Sequence, residues 1–108
     1  MWLFVAGSAK DSISPSYIQA SSMLLERVAK IDDVHLVFGG YHRGIMAIAY
    51  DGFKKNSKKV IAVSDIVFQE SLKEIDADTS IVAENTVERF QKLYENGDCI
   101  LFLPGGIG

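Results

Sequence analysis

The chain opens on Leu3-Phe4-Val5-Ala6, closed by Gly7-Ser8. Four apolar residues in succession, with no polar alternation, are expected of a strand covered on both faces. That setting belongs to a parallel sheet with helices above and below it. The same pattern returns along the chain. Val34 and Leu36-Val37-Phe38 make a second run ended by Gly39-Gly40, and Val60-Ile61-Ala62-Val63 a third. Ile81-Val82-Ala83 is a shorter fourth, and Cys99-Ile100-Leu101-Phe102-Leu103 a fifth before Pro104-Gly105-Gly106-Ile107-Gly108.

Amphipathic stretches separate these runs. Ser14-Pro15 is a helix start, because proline at the first helical position gives up only an orphan N–H. Tyr17, Ala20, Leu24, Val28 and Ile31 follow at spacings of three and four, which predicts one buried helical face. A second helix is expected from about Gly44 to Lys55, carrying Ile45, Ile48, Ala49 and Phe53. A third runs from Thr86 to Asn96 with Val87, Phe90 and Tyr94 as its buried stripe, stopped at Asn96-Gly97. The mixed segment Asp65 to Asp78 is expected to hold one or two helical turns. Strand–helix alternation with doubly buried strands predicts an α/β fold, a Rossmann-like doubly wound parallel sheet in one domain. Ligands of such sheets bind at the carboxyl ends of the strands.

Composition narrows the classes. Of the 108 residues, 48% are hydrophobic and 23% charged, with only 2 prolines, so disorder is excluded. One cysteine excludes a disulfide scaffold and any multi-cysteine zinc module. The net charge of -3 argues against nucleic-acid binding through a broad basic field. No apolar run approaches the roughly 18–20 residues that cross a bilayer, and no signal peptide opens the chain. A cytoplasmic protein that works on neither membrane nor nucleic acid is expected.

Three strand-end loops bear glycine: Gly7-Ser8, Gly39-Gly40-Tyr41-His42-Arg43-Gly44, and Gly105-Gly106-Ile107-Gly108. Glycine admits backbone N–H groups close to a phosphate, and a following helix start adds partial positive charge. Together on one sheet edge they predict a nucleotide or sugar-phosphate crevice. Arg89 borders the expected stripe of its helix and can reach that crevice, where a guanidinium could clamp an anion. Other residues read as structural. His42 and Arg43 are solvated loop residues, His35 a packed or edge histidine, and Cys99 a small buried hydrophobe. Lys54, Lys55, Lys58 and Lys59 form a solvated basic face. Asp65, Asp76 and Asp78 lack histidine neighbours at ligand spacing, so no metal site is expected. Ser8 and Ser64 lack a nucleophile elbow, which disfavours a serine hydrolase.

These motifs, in this order, resemble those of the LOG or "lysine decarboxylase-like" family, the nucleoside 5'-monophosphate phosphoribohydrolases. Gly7-Ser8 is similar to the family's first nucleotide-binding turn. Gly39-Gly40 with Gly44-Ile45-Met46 resembles its GGG-x-x-G-L-M segment, with Tyr41 in place of the third glycine. Val60-Ile61-Ala62-Val63 is similar to its V-I-G-V strand, Glu84 through Arg89 to the segment ending E-R-K, and Leu103-Pro104-Gly105-Gly106-Ile107-Gly108 to its L-P-G-G-x-G. The resemblance implies hydrolysis of the N-glycosidic bond of an AMP-like nucleotide, a homodimer, and no metal or redox cofactor. It assigns catalysis to Arg89 and phosphate or substrate binding to Gly105, Gly106, Gly108, Gly39, Gly40, Gly44, Met46, Gly7 and Ser8.

Two departures follow. Phe90 stands where lysine or asparagine is usual. The family's threonine and catalytic glutamate fall after Gly108, so the sheet is expected to be cut short after its fifth strand and the 108-residue chain to be inactive by itself. The alternative is a non-catalytic domain that holds a nucleotide or another phosphorylated ligand. Related folds serve as nucleotide sensors, cofactor carriers and single-strand DNA-uptake proteins.

Overall fold

The computed structural model describes residues 1–7 and 13–103. Strand β1 (Trp2–Ala6) leads to helix α1 (Pro15–Val28), β2 (His35–Phe38), α2 (Gly44–Lys55) and β3 (Val60–Asp65). A short 3-10 helix, Gln69–Glu74, then precedes β4 (Thr79–Ala83), α3 (Thr86–Asn96) and β5 (Cys99–Phe102). The five strands form one parallel sheet in the order β4-β3-β2-β1-β5. The expected α/β doubly wound fold is what the chain forms.

Chain direction explains the layers. From β1 to β4 the chain steps one way across the sheet, and right-handed crossovers put α1, α2 and the 3-10 helix on one face. After β4 it returns past three strands to pair β5 with β1, so α3 lies on the opposite face by itself. Leu36, Phe38, Ile45, Ala49, Phe53, Val60 and Ala62 pack under the first group of helices. Phe4, Val37, Ile61, Val63 and Leu93 pack under α3. No helix among the described residues is long and apolar enough to cross a membrane.

Two helical faces differ from expectation. On α1 the core side is Ser21 and Leu25, continued by Ala29, whereas Tyr17, Leu24 and Ile31 are exposed. On α3 the buried residues are Arg89 and Leu93, while Val87 and Tyr94 face solvent. On α1 the apolar residues spread around more than half of the circumference, whereas on α3 Val87, Phe90, Leu93 and Tyr94 share one side and the buried face is rotated from its middle toward Arg89. A stripe one position out of phase therefore fits the spacing as well as the true one, and packing against the sheet chooses between them. Cys99 is exposed rather than buried, because β5 is an edge strand with little cover.

Candidate functional site

The carboxyl ends of β1, β2 and β3 meet the first turns of α2 and α3. Asn85 begins α3: its Oδ1 accepts from the Glu88 backbone N–H at 2.9 Å, fixing the helix start. One turn later Arg89 points into the sheet edge and is only 8% exposed. Its Nε donates to the carbonyl of Val63 at 3.0 Å and its Nη2 to the carbonyl of Gly39 at 3.0 Å. The guanidinium thus joins the ends of β2 and β3, and its Nη1 has no hydrogen-bond partner among the described residues. It lies inside the helix's buried face, not at the border that the expected stripe implied.

Glycine is required at position 39 for a definite reason. A Cβ there would fall on Nη2 of Arg89, and Sδ of Met46 would lie 3.1 Å away. Gly40 follows with φ of 80°, a left-handed conformation that glycine adopts freely. Gly7, Gly39, Met46 and Arg89 line one narrow crevice together with Phe4 and Leu93, with interior room of about 10 Å³. That is the space of a single water.

Gly40 faces away from this crevice, toward Leu72, Ala62 and Ser64. Gly44 opens α2 with φ of 54°. Ser8, Gly105, Gly106 and Gly108 lie outside the described residues. His42 is paired with Asp51, its Nε2 at 2.8 Å from Oδ1. No cluster of three or more His, Cys, Asp or Glu among the described residues could hold a metal ion.

Three residues that the sequence reading set aside belong to this edge. Tyr41 is partly buried, with its ring 5.8 Å from Cζ of Arg89. Burial pushes its phenol pKa up; the Arg89 charge works the other way, and Asp65 adds to the rise. Asp65 is 4% exposed and its Oδ1 accepts from the N–H groups of Val67 and Phe68 at 3.0 and 3.1 Å. Ser64 is fully buried, and its hydroxyl has no partner among the described residues. Burial lowers the pKa of Arg89, offset in part by the negative charge of Tyr41 when ionised and of Asp65. The only signal for Tyr41 in the sequence was its place in the glycine loop; for Asp65 it was its place after an apolar strand.

No family model matches the chain, and no curated protein matches it. Solved structures do. A Moco carrier protein from Chlamydomonas reinhardtii superposes with a TM-score of 0.70 at 18% identity, over 94% of this chain and 60% of that one. A structure of the molybdenum cofactor carrier protein MCP from the same organism gives 0.71 at 19% identity, over 99% of this chain and 63% of that one. The chain therefore spans about three fifths of the length of these structures, and at such identity the likeness is one of fold. These findings overturn the LOG assignment. The solved structures carry the name of a cofactor carrier, not of a phosphoribohydrolase. The hydrolase reading, the AMP-like substrate and the nucleotide-binding alternative are withdrawn with it. Nothing in the matches supports the expected homodimer, and it is withdrawn too.

Proposed function

We propose that this chain is a carrier-type binding domain whose cargo is the molybdenum cofactor. The observation that carries the reading is the superposition of nearly the whole chain on molybdenum cofactor carrier structures. The site chemistry agrees with holding rather than transforming. Arg89 spends two of its donors on backbone carbonyls, and the nearest buried acid, Asp65, commits an oxygen to two backbone N–H groups. Such groups shape a site; neither is placed as a general acid or base.

The crevice interior admits only a water, so the cargo would lie across its mouth. Gly7, Gly39 and Met46 would form the walls, with Arg89 as the cationic floor. Cytoplasmic work fits the acidic composition and the single cysteine.

The test is retention. Molybdenum cofactor released from a molybdoenzyme is mixed anaerobically with the purified chain, and the mixture is passed over a sizing column. Molybdenum co-eluting in near-equimolar amount with the protein is the expected result. Elution of all molybdenum in the small-molecule volume would overturn the reading.

A further inference from the structure

The turn after β3 reads Asp65-Ile66-Val67-Phe68. Turns ordinarily carry polar or small residues, which satisfy their own backbone or adopt unusual dihedrals. This one carries three apolar side chains in succession, all exposed: Ile66 54%, Val67 73% and Phe68 53%. The turn is nevertheless tightly held. The buried Asp65 carboxylate accepts two of its N–H groups, the Phe68 N–H also reaches the Asp65 carbonyl at 3.1 Å, and the Ser71 N–H reaches the Phe68 carbonyl at 3.0 Å. A buried carboxylate is costly to desolvate, and here it secures a turn that offers hydrocarbon to water.

The Phe68 ring does not stand alone. Its centroid is 5.8 Å from that of Tyr41 at an interplanar angle of 65°. Tyr41 in turn lies against the Arg89 guanidinium. A row of ring, ring and cation therefore runs from the solvent rim to the strand-end crevice. Beside it the buried Ser64 hydroxyl is unpartnered among the described residues, and its Cβ is 3.8 Å from the position a Cβ on Gly40 would take.

We infer that Tyr41 and Phe68 form an aromatic rim that takes the flat face of a planar heteroaromatic ring, with Asp65 as the residue that positions it. The chemistry is stacking on a pre-set aromatic surface, with a cation behind its inner ring. The choice of ring rests on the carrier reading above: the molybdenum cofactor is built on a pterin, a planar fused heterocycle. Three exposed apolar side chains in one turn, next to a crevice with a single buried cation, make a contiguous surface of the kind that binds ligands.

The test uses the free ring as the probe. The chain is titrated with 6-hydroxymethylpterin, whose fluorescence is quenched on stacking, and with molybdate alone. Saturable quenching by wild type, and no competition by molybdate, is expected. Phe68→Ala should weaken pterin binding roughly 5- to 150-fold, the range for losing one aromatic stacking contact, and Phe68→Tyr should restore it. Because Phe68 is exposed, its truncation leaves the fold intact, and an unchanged thermal midpoint checks this. Equal pterin affinity in wild type and Phe68→Ala overturns the rim. Retention of whole cofactor that is indifferent to Phe68 also overturns it while sparing the carrier reading. Pterin binding that depends on Phe68, with no retention of whole cofactor, upholds the rim and overturns the carrier reading instead.

Discussion

On one face of the sheet α1, α2 and the 3-10 helix enclose sixteen buried hydrophobic residues among those described; on the other, α3 encloses six. The inequality follows from the route of the chain, which makes all its early crossovers on one side and only the last on the other. The thick face is an ordinary apolar core. The thin face leaves Ile100 and Phe102 exposed and ends, near the strand carboxyl termini, in a buried arginine. A guanidinium is tolerable there because two strand-end carbonyls accept from it and the crevice lies beside it. Stability is concentrated on one side of the sheet, and the candidate site lies at the strand ends, where α2 from that side meets α3 from the other.

The sharpest way to break this contrast is to empty each face in turn. Phe53 is completely buried on the thick side, and Phe53→Ala should cost about 3–5 kcal/mol. Leu93→Ala on the thin side, close to surface that can relax, should cost nearer to 2 kcal/mol, the low end of the range for such truncations. Urea unfolding of both variants measures the difference. Equal losses would mean that the two faces are equally packed.

Arg89→Leu comes next. It keeps most of the side-chain volume but leaves the carbonyls of Val63 and Gly39 without their donor, at a cost of about 2 kcal/mol. Arg89→Lys should recover little, since one ammonium does not reproduce the two-pronged geometry. Recovery to wild-type stability by lysine would show that the charge matters there and the fork does not.

The smallest effect concerns pH, at the opposite end of the strands from the site. His35 Nδ1 accepts from the Lys59 backbone N–H at 3.0 Å, so the ring must be unprotonated at that atom. Burial, then Lys58, the amino terminus and Lys59, lower its pKa below 6.5, with Asp33 in opposition. Between the lowered folded value and 6.5 the unfolded chain binds the extra proton. This contribution to stability is therefore complete above pH 6.5 and is lost as pH falls through that window. Melting midpoints of wild type and His35→Gln, followed from pH 8 to pH 5.5, should converge on the acid side. Parallel curves would refute the assignment.

Much of the fold was legible because strands buried on both faces must be apolar without alternation. Leu3–Ala6, Leu36–Phe38 and Val60–Val63 therefore stood out, and Ser14-Pro15 and Asn96-Gly97 marked helix ends. The faces of α1 and α3 were not legible. Tyr17, Leu24 and Ile31 satisfy a helical period as well as Ser21 and Leu25 do, and a period carries no information about which side meets the sheet. The site was half visible. Gly39 and Arg89 were singled out by their motifs, yet nothing in their spacing of fifty residues announced that one would occupy the space beside the other.

The family reading failed for a related reason. Glycine loops at strand ends belong to the architecture of doubly wound sheets, so motifs made largely of them are shared by proteins with different cargo or chemistry. Local composition by itself determined the parallel, doubly covered sheet and the glycine-bearing turns at its strand ends, because burial and backbone freedom are properties that each residue carries with it. Only the tertiary structure decided that Arg89 would join two strand ends, that Asp65 would hold a turn, and that Tyr41 and Phe68 would meet. Those relations join residues distant in sequence, and a crossover past three strands is what brings Arg89 over the ends of β2 and β3.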